Sequence, residues 1–497
     1  MRITTDSMGD MPVPDDALWG ASTERAVRNF PISGYTMPAA LIRALGLIKL
    51  AAATVNEDLG RLTPEKSRLI QRAAREIADG LHLAQFPVDV FQSGSATSTN
   101  TNANEVIVAR AAQLAGNAAG AAPELHPNDD VNLSQSSNDV IPSALHISVV
   151  QVLRADLAPA LAAMASTLEA KSVEFAGIVK IGRTHLMDAT PLTLGQEFSG
   201  YAAQLRKAGS RVERATAVLA ELAIGGTAVG TGINAPPEFG TRVCRVLADE
   251  TGFPFHEARN HFEAQASRDD CVEVAGHLAA VAASMTKVAN DIRLLASGPR
   301  AGLAELRLPA TQPGSSIMPG KVNPVMSEML VQVGLYVQAL THAVTACGRE
   351  GHLELNATLP VMAHALHESI RCLANGARAF TEKCLVGLEA DAERCEELTT
   401  RSLMLVTALT PTLGYDVAAD VAKDALASGA SLRAVVLSRG LMVEAALDRA
   451  LDPITMTRST TPASEVCGPA ETTWENEGGH LKSRLSGVTG RKRTPPS

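Results

Sequence analysis

A polar stretch at residues 313–324, Pro-Gly-Ser-Ser-Ile-Met-Pro-Gly-Lys-Val-Asn-Pro, contains the side chains best suited to chemistry. Its prolines and glycines exclude a helix, so it is predicted to be a loop between two apolar helices. Hydroxyl, ammonium and backbone N–H groups in one loop can bind an anion. The side chains that could do so are Ser315, Ser316, Lys321 and Asn323. The alternative is a plain connector between helices.

The far end of this loop predicts the start of a helix. Asn323 is a candidate N-cap, and Pro324 suits the first helical position. Glu328 follows on about the same helix face. The stretch is not a Walker phosphate loop, because five residues instead of four separate its glycines and Val322 replaces the required Ser or Thr.

Two further stretches are rich in small polar side chains. Residues 93–105 run directly into a helical pattern at 106–114, which is typical of an anion site at a helix N-terminus or of ordinary capping. Residues 126–139 repeat this pattern, with Asn138 or Asp139 as the candidate cap of a helix that begins near residue 141. A metal site among the acidic residues there is disfavoured, because a hard cation needs more carboxylates at regular offsets.

A fourth candidate is Gly-Arg-Thr-His-Leu-Met-Asp-Ala-Thr-Pro at 182–191. It is predicted to be a break between helices, with Thr190 and Pro191 restarting the helical pattern. His185 lies in this break beside Thr184. A single histidine is more often structural than catalytic, so the residues alone leave its role open.

The elements that must position these side chains are predicted to be mainly α-helical. Aromatic residues make up only 3% of the chain, while Ala, Leu and Val dominate, which favours helix packed on helix. Long helical runs are predicted at 144–172, 192–223, 262–298, 325–347 and 360–388. The predicted domains are an N-terminal mixed helical and irregular domain (1–135), a central bundle of long helices (136–392), a small C-terminal helical domain (393–457) and a disordered tail (458–497).

Composition also excludes several classes of function. The net charge of −9 argues against a nucleic-acid surface. The seven cysteines form no C-x-x-C pair, which favours a reducing compartment over disulfides or zinc. The first residues contain no apolar h-region, and no uninterrupted run of eighteen apolar residues occurs, so a cytoplasmic protein without a membrane partner is expected. The anion-binding loops point to a small polyanion, most simply a dicarboxylate, at a site where bundles associate side by side.

Three motifs together resemble the fumarase/aspartase superfamily. They are Gly-Ser-Ser-Ile-Met-Pro-Gly-Lys-Val-Asn-Pro at 314–324, Gly-Arg-Thr-His-Leu at 182–186 and Gln-Ser-Ser-Asn-Asp at 135–139. The resemblance runs from about residue 2 to 455, and within the superfamily the chain is most similar to class II fumarase. Aspartase usually has Gln at the position of His185, which favours fumarase because the hydroxide leaving group needs a proton.

This resemblance implies a fold, an oligomer and a reaction. The fold would have three domains, with a long central bundle that forms a twenty-helix core in a homotetramer. Each of four sites would be built from three subunits and would use no cofactor or metal. The reaction would be the reversible hydration of fumarate to L-malate in the tricarboxylic acid cycle, through a carbanion with aci-carboxylate character.

The resemblance also implies roles for individual residues. Ser315 would be the base, and His185 paired with Glu328 would activate water. Lys321 and Asn323 would bind the carboxylate that accepts the carbanion charge. The other residues expected at the substrate are Ser95, Ala96, Thr97, Ser136, Ser137, Asn138, Thr184 and Ser316. A second, peripheral anion site would comprise His126, Asn128 and Asp129.

Two alternatives remain at this stage. An aspartate ammonia-lyase or another fumarate-releasing lyase of the same superfamily would share the fold. A catalytically silent structural member is the alternative from a different class. The intact set of Ser315, Lys321, Asn323, His185 and Glu328 argues against it.

Overall fold

The computed structural model describes residues 1–116 and 124–458. Within these residues the chain forms seventeen α-helices and ten short strands, which confirms the predicted mainly α class. The tail predicted to be disordered, 458–497, lies outside the described residues except for Arg458.

The N-terminal part contains a hairpin followed by four helices. The strands are β1 (Arg2–Asp6) and β2 (Gly9–Val13), and the helices are α1 (Ala21–Asn29), α2 (Ala39–Asp58), α3 (Pro64–Ala78) and α4 (Thr97–Leu114). The hairpin and α1 both lie within residues 1–135, which the sequence predicts to be mixed helical and irregular. The hydroxyl of Thr63 accepts a hydrogen bond from the Lys66 N–H and caps α3.

The central part is built from long helices. Its elements are α5 (Ser137–Val152), α6 (Ala158–Glu174), β3 (Val179–Thr184), β4 (Met187–Thr193), α7 (Leu194–Val218), β5 (Glu221–Leu222), α8 (Phe239–Thr251), β6 (His256–Glu257), α9 (His261–Ala266), α10 (Asp269–Leu295), β7 (Leu306–Arg307), α11 (Val325–Gly348), β8 (Gly351–His352), β9 (Leu355–Asn356), α12 (Leu359–Phe380) and β10 (Glu389–Ala390). Each of the five predicted long runs is helical over most of its length, and the first begins earlier than predicted, at Ser137.

The C-terminal part has shorter helices and its own core. The helices are α13 (Ala392–Arg401), α14 (Thr410–Leu413), α15 (Tyr415–Ser428), α16 (Leu432–Ser438) and α17 (Glu444–Ala450). Buried residues between Leu405 and Leu447 form one apolar cluster, separate from the main core that runs from Met37 to Leu388. The main core draws on both the N-terminal and the central helices.

Three apolar helical segments differ in how much of their surface the fold covers. By length and composition alone, α2, the segment Ser137–Glu174 and α11 could each cross a membrane. The most apolar part of α2 is 78% buried within the protein, compared with 50% for Ser137–Glu174 and 33% for α11. On α11, the side chains of Leu335 and Tyr336 are 65% and 46% exposed. The apolar character of α2 is therefore that of a core helix, whereas α11 has an uncovered apolar side.

Candidate active site

The loop at 314–323 closes on itself. The Gly314 N–H donates to the Lys321 carbonyl at 2.9 Å, and the Asn323 side-chain amide donates to the Gly314 carbonyl at 2.5 Å. The Ser315 hydroxyl oxygen accepts from the N–H groups of Ile317 and Met318, at 3.2 and 2.9 Å. Two N–H donors on one hydroxyl oxygen favour negative charge on that oxygen.

The helix that follows this loop begins one residue later than predicted. Helix α11 begins at Val325, and its N-cap is Pro324, with no side-chain hydrogen bond. The prediction that Asn323 caps this helix was therefore wrong, because its side chain closes the loop onto Gly314 instead. Glu328 lies exposed in the first turn of α11, and Lys321 is exposed within the loop.

His185 lies at the tip of a β-hairpin, not in a simple break between helices. Strands β3 and β4 pair antiparallel, with Thr184 opposite Met187 and Ile181 opposite Pro191. The predicted helical restart at Thr190 and Pro191 was wrong, because pairing with β3 holds both residues in β4. Helix α7 starts at Leu194, after a capping box formed by the residue pair Thr193 and Gln196.

The turn that presents His185 is strained. His185 and Leu186 have φ angles of 57° and 62°, a left-handed conformation that favours glycine or asparagine. Residues held in such conformations cost about 1–3 kcal/mol each and persist where surrounding structure imposes them, often at functional sites. Both side chains are exposed, and that of Leu186 is 75% exposed. The turn therefore holds the His185 side chain out towards solvent.

A cluster of hydroxyls joins the starts of α4 and α5. The Ser95 and Thr97 hydroxyls lie 2.8 Å apart, and the Thr97 and Ser137 hydroxyls 3.0 Å apart. Ala96, between the first two, has a φ of 56° at the N-cap of α4. The Asn138 side-chain amide donates to the Ala228 carbonyl at 2.8 Å. The structure thus brings together side chains from two stretches that are far apart in sequence.

The start of α5 is capped by Ser136. Its hydroxyl accepts from the Asn138 N–H at 3.2 Å, and the Asp139 carboxylate accepts from the Ser136 N–H at 2.9 Å. The predictions that Asn138 or Asp139 is the cap and that the helix begins near residue 141 were both wrong. Ser136 is the N-cap and the helix begins at Ser137, because Ser136 and Asp139 form a capping box. Ser136 is thus fixed in place by Asp139.

A buried carboxylate and a buried ammonium support this cluster, and the sequence reasoning missed both roles. Asp139 also accepts from the Gly225 and Thr227 N–H groups, at 3.1 and 2.9 Å. Burial raises its pKa to about 6, although these hydrogen bonds and the Lys49 charge oppose the rise. Burial lowers the pKa of Lys49 to about 7, opposed by the charge of Asp139.

Lys49 binds the segment that precedes Ser136. Its ammonium donates to the side-chain oxygens of Asn132 and Gln135, at 2.9 and 3.0 Å. Asn132 also accepts from the Asn100 amide of α4, at 3.1 Å. A lone lysine within the apolar run Leu-Ile-Lys-Leu-Ala-Ala-Ala was the available sequence signal, because a buried cation needs polar partners.

The predicted second anion site lies on one turn. His126 precedes Pro127–Val131, and its Nδ1 accepts from the Asp129 N–H at 3.1 Å. Asn128 belongs to the same turn, while Asp130 forms an ion pair with Lys66 at 2.8 Å. In residues 1–116 and 124–458 there is no group of three or more His, Cys, Asp or Glu side chains that could hold a metal ion.

The candidate residues thus form three groups in one chain: the 314–323 loop, the His185 turn and the hydroxyl cluster of Ser95, Thr97 and Ser137. Among the residues that the structure describes, no hydrogen bond or ion pair joins one group to another. His185, Thr184, Ser316 and Lys321 are exposed. The His185 turn and the 314–323 loop therefore present polar side chains outward, whereas in the hydroxyl cluster Thr97 is exposed, Ser137 is half-buried and Ser95 is buried.

Comparison with known proteins gives consistent family matches. The family described as "Lyase" matches residues 9–339, and "Fumarase C C-terminus" matches residues 405–458. A protein of Pseudomonas aeruginosa named fumarate hydratase class II 1 is 50% identical over 452 residues, 91% of this chain and 97% of that protein. A Mycobacterium tuberculosis protein named fumarate hydratase class II is 51% identical over 463 residues, 92% and 96% of the two chains.

Solved structures agree in fold. A recombinant class II fumarase from Schistosoma mansoni has a TM-score of 0.89 and 37% identity, covering 92% of this chain and 99% of its own. A protein described as fumarate lyase:delta crystallin from Brucella melitensis, bound to cobalt, has a TM-score of 0.89 and 44% identity, covering 92% and 100%.

Proposed function

This chain belongs to the class II fumarase family, and we propose that its three groups of polar side chains together catalyse the reversible hydration of fumarate to L-malate. The chain is a lyase of the hydro-lyase type and acts on a dicarboxylate. The observation that supports this proposal most strongly is sequence identity of 50% and 51%, over 91% and 92% of the chain, to two proteins named class II fumarate hydratase. No observation favours the ammonia-lyase or the silent alternative over it.

The proposed base is Ser315. In the malate direction it takes the C3 proton, and the electron pair of the C–H bond passes into the adjacent carboxylate. The Ile317 and Met318 N–H groups on its hydroxyl oxygen support this role, because they stabilise the alkoxide. Lys321 and Asn323 stabilise the charged carboxylate, and fixed donors of this kind contribute about 2.7–4 kcal/mol each at well-studied oxyanion sites.

The proposed partner in water chemistry is His185. It gives a proton to the departing hydroxyl in the malate direction and takes one from water in the reverse direction. Glu328 would orient the imidazole, and Ser95, Thr97, Ser136, Ser137, Asn138, Thr184 and Ser316 would bind substrate oxygens. The exposed position of the His185 turn supports this assignment. We keep His126, Asn128 and Asp129 as a proposed second anion site.

The proposed assembly is a homotetramer whose sites are shared between three subunits. Its support is that no hydrogen bond or ion pair joins the three groups among the described residues, and that the His185 turn and the 314–323 loop are exposed, so that groups from different chains can meet at one site. The uncovered apolar side of α11, with Leu335 and Tyr336, fits a helix that packs in a core between subunits. We also retain the domain boundaries predicted above and a cytoplasmic location, with which the six free cysteines in the described residues agree.

The reaction is tested by adding L-malate, and separately L-aspartate, to the purified protein and following the ultraviolet absorbance of fumarate. We expect fumarate to form from L-malate and not from L-aspartate. Fumarate from L-aspartate alone would move the protein to the ammonia-lyases. No product from either substrate, with the protein folded and tetrameric, would support the silent alternative.

Substrate binding should depend on the ionisation of Asp139. Because burial raises its folded pKa to about 6, above its ordinary 3.8, its contribution to stability is present in acid and is lost as pH rises through about 6. Its hydrogen bonding to Ser136, Gly225 and Thr227 has the opposite pH dependence, because the protonated acid is a poorer acceptor. We therefore expect Asp139→Asn to raise KM for L-malate about tenfold at pH 7.5, from the roughly 1–3 kcal/mol cost of unsatisfied buried groups.

The test is the ratio of variant to native KM between pH 5 and pH 8, which cancels the titration of the substrate itself. The ratio should fall towards one below about pH 6, where native Asp139 is also uncharged. Asp89→Asn is the control, because Asp89 also accepts backbone N–H bonds, from Phe91, Ser33 and Gly34, outside the proposed site. A ratio that does not change with pH would contradict this role for Asp139.

A further inference from the structure

A fully buried carboxylate lies behind the strained turn. The Glu305 side chain is 0% exposed, and Arg183 donates to both of its oxygens, at 2.9 and 3.1 Å. The Lys180 ammonium lies 3.2 Å from the same carboxylate and 2.7 Å from Glu197. The charges of two cations and two carboxylates thus balance in one network of ion pairs. Within it, Arg183 and Glu305 form a bidentate pair, which fixes the orientation of both side chains.

Glu305 is itself fixed by its backbone. Its N–H donates to the Leu295 carbonyl, and its carbonyl accepts from the Asp391 N–H, both at 2.9 Å. It directly precedes β7, which pairs with β10. The backbone of Glu305 is therefore hydrogen-bonded to the end of α10 on one side and to the start of α13 on the other. This backbone fixes the position of the Glu305 carboxylate for the side chains that bind to it.

The Glu305 carboxylate binds the hairpin that carries His185, through Arg183. Arg183 is in β3, two residues before His185, and it lies opposite Asp188 across the hairpin. The strand register shifts between Ile181 and Arg183, at Gly182, where an added Cβ would lie 2.6 Å from the Thr190 carbonyl oxygen. The two left-handed residues at the tip are neither glycine nor asparagine, and the paired strands below them, which Arg183 joins to Glu305, hold this conformation in place.

We propose that Glu305 is a positioning residue: its buried two-pronged pair with Arg183 fixes the hairpin so that the His185 imidazole meets the substrate in a productive orientation. This inference rests on the proposed fumarate hydration. Glu305 and Arg183 touch neither substrate nor reacting atoms in this proposal. They act through the backbone of the turn.

The test is Arg183→Lys, which keeps the charge but loses the planar fork that holds both oxygens of Glu305. Misplacement by about 1 Å can cost about 10²-fold in rate, so we expect kcat for L-malate to fall about 10–100-fold. KM should change less than kcat, because Thr184 is the one proposed substrate-binding side chain on this hairpin and the others lie on elements that Arg183 does not hold. The pH–kcat profile of the variant should also differ in shape from that of the native protein, because a misplaced turn alters the proton transfer that limits the rate.

Arg110→Lys is the matched control. Arg110 forms the same two-pronged pair with Glu76, at 2.6 and 3.0 Å, between α4 and α3. We expect it to leave kcat and the pH profile unchanged. A second variant, Arg183→Gln with Glu305→Gln, removes the pair without leaving either charge unpaired, and Lys180 keeps Glu197. It should fold and show the same fall in kcat.

The outcomes separate this inference from the proposed function. If the native protein forms no fumarate from L-malate, the proposed function fails. If the native protein is active and both Arg183 variants keep native kcat and pH profile, the positioning role is overturned. An equal loss of kcat in Arg183→Lys and Arg110→Lys, with matching losses of thermal stability, would also overturn it, because the effect would then be one of general stability.

Discussion

Ser315→Ala is expected to lower kcat for L-malate about 10²–10⁴-fold, the range typical for loss of a side chain that transfers a proton. The alanine cannot take the C3 proton, and no second hydroxyl occupies the place of the Ser315 oxygen between the Ile317 and Met318 N–H groups. The loop should keep its shape, because the Gly314–Lys321 and Asn323–Gly314 hydrogen bonds do not involve Ser315. Steady-state kinetics with L-malate and a thermal unfolding curve measure both effects.

The unfolding free energy should change by less than about 0.5 kcal/mol, since the Ile317 and Met318 N–H groups are exposed and can bind water instead. Thr311→Ala is the control, because Thr311 is an exposed hydroxyl on the same approach to the loop. It should have native kcat. Native kcat in Ser315→Ala itself would remove Ser315 from the role of base.

The second large effect is expected for His185→Asn, which should also lower kcat about 10²–10⁴-fold by removing proton transfer to the leaving hydroxyl. Asparagine suits this test, because it tolerates the left-handed conformation that His185 adopts at φ 57°. The turn should therefore remain folded while losing its imidazole. The measurements are kcat for L-malate, far-ultraviolet circular dichroism and thermal unfolding.

Leu186→Asn is the matched control at the neighbouring position of the same turn. Leu186 has a φ of 62° and a 75% exposed side chain, so asparagine should relieve strain and leave kcat unchanged. If both asparagine variants lost activity equally, the shape of the turn and not the imidazole would be the important feature. If neither lost activity, the assignment of His185 would be wrong.

Local chemistry was readable from the sequence because it depends on neighbours along the chain. Thr63 and Pro64 are a local signal for the start of α3, where the Thr63 hydroxyl accepts from the Lys66 N–H and Pro64 is the first helical residue. Apolar periodicity predicted the long helices, and their clustering confirms the mainly α class. The loop at 314–323 followed from prolines and glycines, whose backbone preferences need no tertiary contact.

The errors arose where more than one local solution was available. Asn138, Asp139 and Ser136 can all cap a helix, and the choice of Ser136 depends on the Asp139 carboxylate also meeting Gly225 and Thr227. Asn323 could cap α11, but closing the loop onto Gly314 uses its amide instead. In both cases a partner outside the local pattern decided between polar side chains of similar propensity.

By itself, the sequence determined the helical scaffold, the identity of the polar side chains in each of the three groups and the family to which the chain belongs. Only the tertiary structure decided that His185 lies on a strained hairpin tip, because strand pairing with Pro191 overrides the local helical pattern. It also decided that Arg183 meets Glu305, 122 residues further along the chain. Such contacts depend on how the helices pack, and a buried charge reveals its partner only once burial has removed water as the alternative.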